Sequence, residues 1–135
     1  CLLDNGIIVI AAGGGGIPVV KNSDGTLSGR EAVIDKDLAA AMLAKDLKAD
    51  MFVISTAVPK VCLNFGKPNQ QTLDTISTKD AEKYMAEGHF APGSMLPKIQ
   101  ALTDFVKSTG NMGIVTDPEN LYDAVYGDMG TKIIG

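Results

Sequence analysis

The sequence predicts an α/β domain with a mostly parallel sheet and helices on both faces. Three observations carry this. Residues 7–10 (Ile-Ile-Val-Ile) and 51–55 (Met-Phe-Val-Ile-Ser) are short, nearly continuous apolar runs, the mark of strands buried on both faces. Residues 35–48 and 95–108 instead show apolar positions at helical spacing. Glycines and turn-forming residues separate the two kinds of segment, and strands alternating with helices make a layered α/β fold.

The elements follow in order. Residues 1–5 read as the tail of a helix, closed by Gly6 as a left-handed C-cap. Residues 7–10 are the first buried strand, and they run straight into Gly13 to Gly16. Residues 17–20 form a short strand, and Asn22-Ser23-Asp24-Gly25-Thr26 is turn chemistry. Residues 31–34 lead into a strand-to-helix corner at Asp35-Lys36-Asp37. In the helix that follows, Leu38, Met42, Leu43 and Leu47 share a face. After the strand at 51–55, residues 60–65 and 71–76 are expected to pair as a hairpin across Gly66-Lys67-Pro68-Asn69. Ser77-Thr78-Lys79-Asp80 has the reciprocal capping pattern, with Asp at its third helical position. That helix runs to about Glu87 and stops at Gly88. Ser94 is the expected cap of the 95–108 helix, with Pro97 tolerated in its first turn and Gly110 closing it. Residues 112–115 are a strand. Asp117 and Pro118 are expected as N-cap and first residue of a short helix. Residues 131–134 are expected as a last edge strand.

The chain has 135 residues, enough for one domain or half of a larger one. Its net charge is −4 with no basic block, which argues against nucleic-acid binding and polybasic membrane attachment. No apolar run reaches the about 18 residues a membrane helix needs. Cys1-Leu2-Leu3 has no basic leader and is not a translation start, so a segment of a longer protein is expected. Cys1 and Cys62 show neither metal spacing nor a disulfide framework, and a reducing, cytoplasmic compartment is expected.

In a mostly parallel sheet, ligands sit at the carboxyl ends of the strands. Gly13, Gly14 and Gly15 follow a strand directly, and their N–H groups would approach an anion closely; a plain turn is the other reading. They are not a Walker A loop, because no Gly-Lys-Ser/Thr follows. Nor are they a dinucleotide fingerprint, because Ile17-Pro18 stands where a helix would start. At the corner, Lys36 would meet a phosphate beside unpaired helix N–H groups, with Asp37 fixing the lysine. A solvated first turn capped by Asp35 or Asp37 fits the same residues. Lys98 stands at a positive helix start, where lysine is disfavoured unless an anion is shared there; an exposed lysine on an amphipathic helix is the alternative. His89, the single histidine, reads as a loop residue rather than a general base. No set of residues has metal-ligand or nucleophile spacing. Phosphoryl transfer between small molecules needs neither: it needs cations on the transferring oxygens, and Mg²⁺ carried by the nucleotide.

Five segments together resemble the carbamate kinases of the amino acid kinase family. They are Ala11 through Val19, Glu31 through Asp37, Leu63 through Pro68, Ala81 through Phe90, and Pro92 through Lys98. The resemblance covers nearly the whole chain in one register. The glycines are generic, whereas Gly66-Lys67-Pro68 and Gly93-Ser94-Met95-x-Pro97-Lys98 are specific. It implies a three-layer αβα sandwich, usually a homodimer. Residues 1–135 would be its C-terminal, nucleotide-binding half, with the substrate half outside the chain. It implies reversible phosphoryl transfer between ATP and carbamate, with ADP and carbamoyl phosphate giving ATP in arginine fermentation. By the same resemblance Lys36 and Lys98 stabilise the transferring group and Asp37 organises them. Gly13, Gly14 and Gly15 line the phosphoryl side, and Thr56, Ala57, Val58, Cys62, Met95 and Pro97 border the nucleotide. Cys62 stands where the family commonly has tyrosine, which puts an aromatic contact with the base in doubt. It is either a thiol at the site mouth or a small buried hydrophobe. A sibling kinase for another acyl substrate and a non-catalytic nucleotide-binding fragment are the competing readings.

Overall fold

The computed structural model describes residues 2–135, so the expectations for Cys1 lie outside it. One 3-10 turn, Leu3–Asn5, is closed by left-handed Gly6. Then come β1 (Val19–Lys21), β2 (Leu27–Gly29), α1 (Lys36–Asp46) and β3 (Met51–Ser55). They are followed by β4 (Cys62–Leu63), β5 (Gln71–Thr72), β6 (Thr75–Ser77) and α2 (Thr78–Ala86). The chain continues with α3 (Met95–Thr109), β7 (Met112–Thr116), α4 (Leu121–Tyr126) and β8 (Thr131–Ile134).

The central sheet has the order β3-β7-β8-β6. The β3–β7 and β6–β8 pairs are parallel and only β7–β8 is antiparallel, so the sheet is mostly parallel. Its two faces follow from strand alternation. Gly113 faces α3, where a Cβ would meet Leu102 and Val106. Its neighbour Ile114 faces the other way, against Gly130 and Ala124 of α4. The layers are therefore α1, α2 and α3 on one side, the sheet, and α4 on the other. Ile99, Leu102, Phe105 and Val106 of α3 are buried, at the i, i+3, i+6 and i+7 spacing that presents one stripe to the sheet. The Phe105 ring meets Phe52 of β3 at 5.5 Å. Burying one such side chain stabilises by about 1.5–3 kcal/mol.

Several elements depart from the sequence expectation. Residues 7–10 form no strand, and Ile8 and Ile10 are 93% and 98% exposed. β-Branched residues favour a pleated, paired surface, and no described strand lies alongside this run to pair with it. On α1 the buried residues are Asp37, Ala41 and Ala44, while Met42, Leu43 and Leu47 are exposed. The small alanines face the core that α3 dominates. Leu43 and Leu47 share a surface groove with Leu2, Leu3, Val9 and Ala11. The expected long hairpin is only two residues deep, β4 against β5, because β6 leaves it to join β8. Strand β2 was not foreseen; it pairs with β1 across the Asn22–Thr26 turn.

Strand β8 is interior rather than an edge. Buried Thr131 anchors it, donating to the Leu73 carbonyl at 2.6 Å and accepting from the Val61 N–H at 2.8 Å. The Ser77 box forms as expected: its hydroxyl accepts from Asp80 N–H, and the Asp80 carboxylate accepts from Ser77 N–H. Ser94 does not cap α3. An N-cap side chain bonds the second or third helical N–H. Here the third residue is Pro97, which has none, and the Leu96 N–H is taken by the Ala91 carbonyl. Asp117 accepts from Asn120 N–H and Nδ2, so it braces a turn ahead of α4 instead of capping it.

The tight seat of Gly113 gives a direct test of the α3–sheet packing. A Cβ there would lie 2.9 Å from Leu102 Cδ2 and 3.3 Å from Val106 Cγ2. Gly113→Val is expected to lower stability by about 1–3 kcal/mol through overpacking, read as a lower urea midpoint at unchanged slope.

Candidate functional site

The strand-to-helix corner folds as its residues dictate. Asp35 is the N-cap of α1, and its Oδ1 accepts from the N–H groups of Asp37 at 2.8 Å and Leu38 at 3.2 Å. That leaves the Asp37 carboxylate free for other partners. Its Oδ1 accepts from Lys36 Nζ at 3.0 Å, and its Oδ2 from Lys98 Nζ at 2.8 Å. Lys36 and Asp37 open α1, Lys98 lies in the first turn of α3, and the two helices pack together. One carboxylate thus holds two ammonium groups, one from the neighbouring residue and one from 61 positions further along the chain.

Exposure separates the three. The side chains of Asp37 and Lys98 are 11% and 13% exposed, and Lys36 is 57% exposed. Burial pushes the Asp37 carboxyl up, but hydrogen bonds and charge from Lys98 and Lys36 outweigh it and hold the group below its ordinary value. Lys36 is raised, chiefly by its hydrogen bond to Asp37. Lys36, Asp37 and Lys98 set two cations on one anion, while Asp35 takes the Asp37 and Leu38 N–H groups of this helix start. Two ammonium groups held together in this way can meet an oxyanion.

The glycine loop reaches the same corner. Gly15 has φ +88°, and a Cβ on it would stand 2.3 Å from the Ile34 carbonyl oxygen, so no other residue fits there. Gly13 and Gly14 face open space, with their backbone accessible.

A cleft of about 170 Å³ opens beside β4 and the start of α3. Thr56, Ala57, Val58, Cys62 and Met95 line it, whereas Pro97 does not. Lys60, Phe65 and His89 line it as well and were missed from sequence. The hairpin reading of residues 60–76 held the signal for Phe65, since it put that residue beside the turn. His89 stacks edge-on to Tyr84 and its Nε2 lies 3.3 Å from Glu87 Oε2. Cys62 is partly buried, with Gln70 Nε2 3.5 Å from its sulfur. Among the described residues, no group of three or more His, Cys, Asp or Glu side chains could hold a metal ion, and no helix is long and apolar enough to cross a membrane.

The sequence model of the amino acid kinase family matches residues 1–117. The chain is 52% identical over 133 residues to the carbamate kinase-like protein YahI of Escherichia coli, covering 98% of this chain and 42% of that protein. It is 53% identical over 132 residues to the carbamate kinase of Lentilactobacillus hilgardii, again with 98% of this chain and 41% of the relative covered. The carbamate kinase of Giardia lamblia bound to AMP-PNP superposes with a TM-score of 0.92 at 43% identity, over 98% of this chain and 46% of that one. The chain therefore spans less than half the length of the relatives it matches.

The cluster makes a pH-dependent prediction. The folded carboxyl of Asp37 lies below its ordinary value. Its pairing therefore stabilises the fold above that value and is lost as pH falls through the folded one. Asp37→Asn is expected to be less stable than wild type at neutral pH by about 1–3 kcal/mol. In denaturant melts across a pH series, the two proteins should converge in acid. A gap that ignored pH would rule the ion pairs out as its source.

Proposed function

The chain belongs to the amino acid kinase family, and from that premise we propose that it forms the nucleotide-binding half of a carbamate kinase. The protein would interconvert ATP plus carbamate and ADP plus carbamoyl phosphate. The observation that carries this is the Asp37 carboxylate holding Lys36 and Lys98 at two helix starts beside an open glycine backbone.

In the ATP-forming direction, a terminal phosphate oxygen of ADP attacks the phosphorus of carbamoyl phosphate. The bond from that phosphorus to the carbamate oxygen breaks, and carbamate leaves with the electron pair. No proton needs to move, so the absence of a nucleophile or general-base constellation is no obstacle. The transferring group spreads negative charge over its equatorial oxygens, and positioned cations there lower the barrier. Lys36 and Lys98 supply them as catalytic residues. Asp37 is a positioning residue: it keeps two like charges close and orients both. Gly13 and Gly14 offer N–H groups on the phosphoryl side. The cleft bordered by Thr56, Ala57, Val58, Cys62 and Met95 takes the nucleoside, and Pro97 shapes the start of α3 behind it. Mg²⁺ enters on the nucleotide phosphates, which supply its oxygen ligands together with water.

The finer parts of the reading follow the same proposal. The remaining half of the site, which holds the small substrate, belongs to the part of the protein that this chain does not span. The enzyme works as a cytoplasmic homodimer and runs toward ATP in arginine breakdown.

The test is ATP formation from ADP and carbamoyl phosphate by the complete protein, in a coupled assay. An inactive wild type overturns the proposal, and ATP made only from another acyl phosphate transfers it to a sibling kinase. Lys98→Ala is expected to lower kcat by about 10²–10³-fold, as for loss of one transition-state donor, with nucleotide affinity little changed. An equal loss of ADP affinity would make Lys98 a ground-state contact.

A further inference from the structure

We infer that Phe65 is the stacking platform for the nucleotide's base, the aromatic surface that Cys62 does not provide. This rests on the kinase reading above.

Phe65 is 66% exposed at the rim of the cleft, whereas the neighbouring Phe90 is buried in its wall. Among the described residues around this cleft, Phe65 is the phenyl ring with a face to offer. The residue before it, Asn64, is left-handed at φ 52°, a conformation asparagine tolerates in turns, and it sets the direction of the tip. The tip beyond it is braced rather than loose. Lys67 N–H donates to the Asn64 carbonyl at 3.0 Å, and Gln70 N–H to the Lys67 carbonyl at 3.0 Å. The Gln70 side chain accepts from Gly66 N–H at 2.8 Å and donates to the Cys62 sulfur at 3.5 Å. A braced turn thus fixes a large apolar ring at the cleft, where a planar ligand would cover it at little ordering cost.

The chemistry of the cleft says which planar ligand. Val58, Ala57 and Met95 give it one apolar wall, and its lysine, Lys60, is already paired with Asp74. Met95 opens α3, and Lys98 lies about one turn further along the same helix. A molecule with a flat π-face at one end and phosphates at the other fits both, and a nucleotide is that molecule. Cys62 is too small to stack, and its sulfur already faces Gln70. Base stacking on an aromatic ring is sequence-tolerant and substantial.

The test uses the complete protein, with ADP binding measured by calorimetry beside steady-state kinetics. Phe65→Ala and Phe65→Leu are expected to weaken ADP binding and raise its KM by about 10-fold, with kcat little changed; Phe65→Tyr should bind as wild type does. Inhibition by tripolyphosphate, which has phosphates and no base, should not respond to any of the three. Thermal melts confirm that each variant is folded. Wild-type ADP affinity in both the Ala and Leu variants overturns the stacking role and leaves the kinase reading standing. Equal weakening of ADP and tripolyphosphate also overturns it, by moving the effect to the phosphate end. A wild type that binds no ADP overturns both.

Discussion

The Asp37 carboxylate is the constraint on which the site depends. Two ammonium groups brought close repel each other, and a shared anion between them reverses the sign of that interaction. The carboxylate can be shared because Asp35 has taken the work of capping α1, leaving both Asp37 oxygens for the lysines. It can be reached from α3 because the side of α1 that carries it is built of Ala41 and Ala44, which keep the facing surface small. A bulkier face would hold the helices further apart and take Lys98 out of range. Packing, capping and electrostatics therefore meet in one residue.

The site is polarised along the start of α3. One end is cationic and partly buried, with glycine backbone open beside it. The other has an apolar wall of Ala57, Val58 and Met95, with a ring beside it. Such a gradient orients an amphiphilic ligand before any specific hydrogen bond forms. Alignment of the reacting groups is the larger share of what phosphoryl transfer asks of a protein.

Features with local causes were legible in the sequence. The Ser77–Asp80 box, Asp35 ahead of α1 and Gly110 after α3 each depend on residues within a turn of one another, and all three formed. The lysines could be noticed as oddly placed charges, but no local signal says that Lys98 and Lys36 meet on one carboxylate, because that contact needs α1 and α3 to pack. The misses have the same root. Ser94 looks like a cap until Pro97 and the Ala91 carbonyl are counted. Residues 7–10 have strand composition, and a strand exists only with a neighbour. Met42, Leu43 and Leu47 stand out by size, while the face of α1 turned to the core is set by its alanines together with Leu38. The interior place of β8 depends on one threonine hydroxyl joined to carbonyl and amide groups 58 and 70 residues away. Phe65 was readable only as a member of a hairpin, since its exposure belongs to the folded tip.

The place of β8 bears on how the molecule is made. Strand β6 touches the rest of the sheet only through β8, and β8 follows every other element in the chain. On a ribosome, α1, β3, α3 and β7 can consolidate as they emerge. The β6–α2 unit, although synthesised earlier, has no sheet to join until β8 arrives and is threaded between it and β7. Until then that unit is held through α2, which packs on α3. The nascent protein thus carries a late-closing gap in the middle of its sheet, and this is the stage at which chaperone capture or misassembly is favoured.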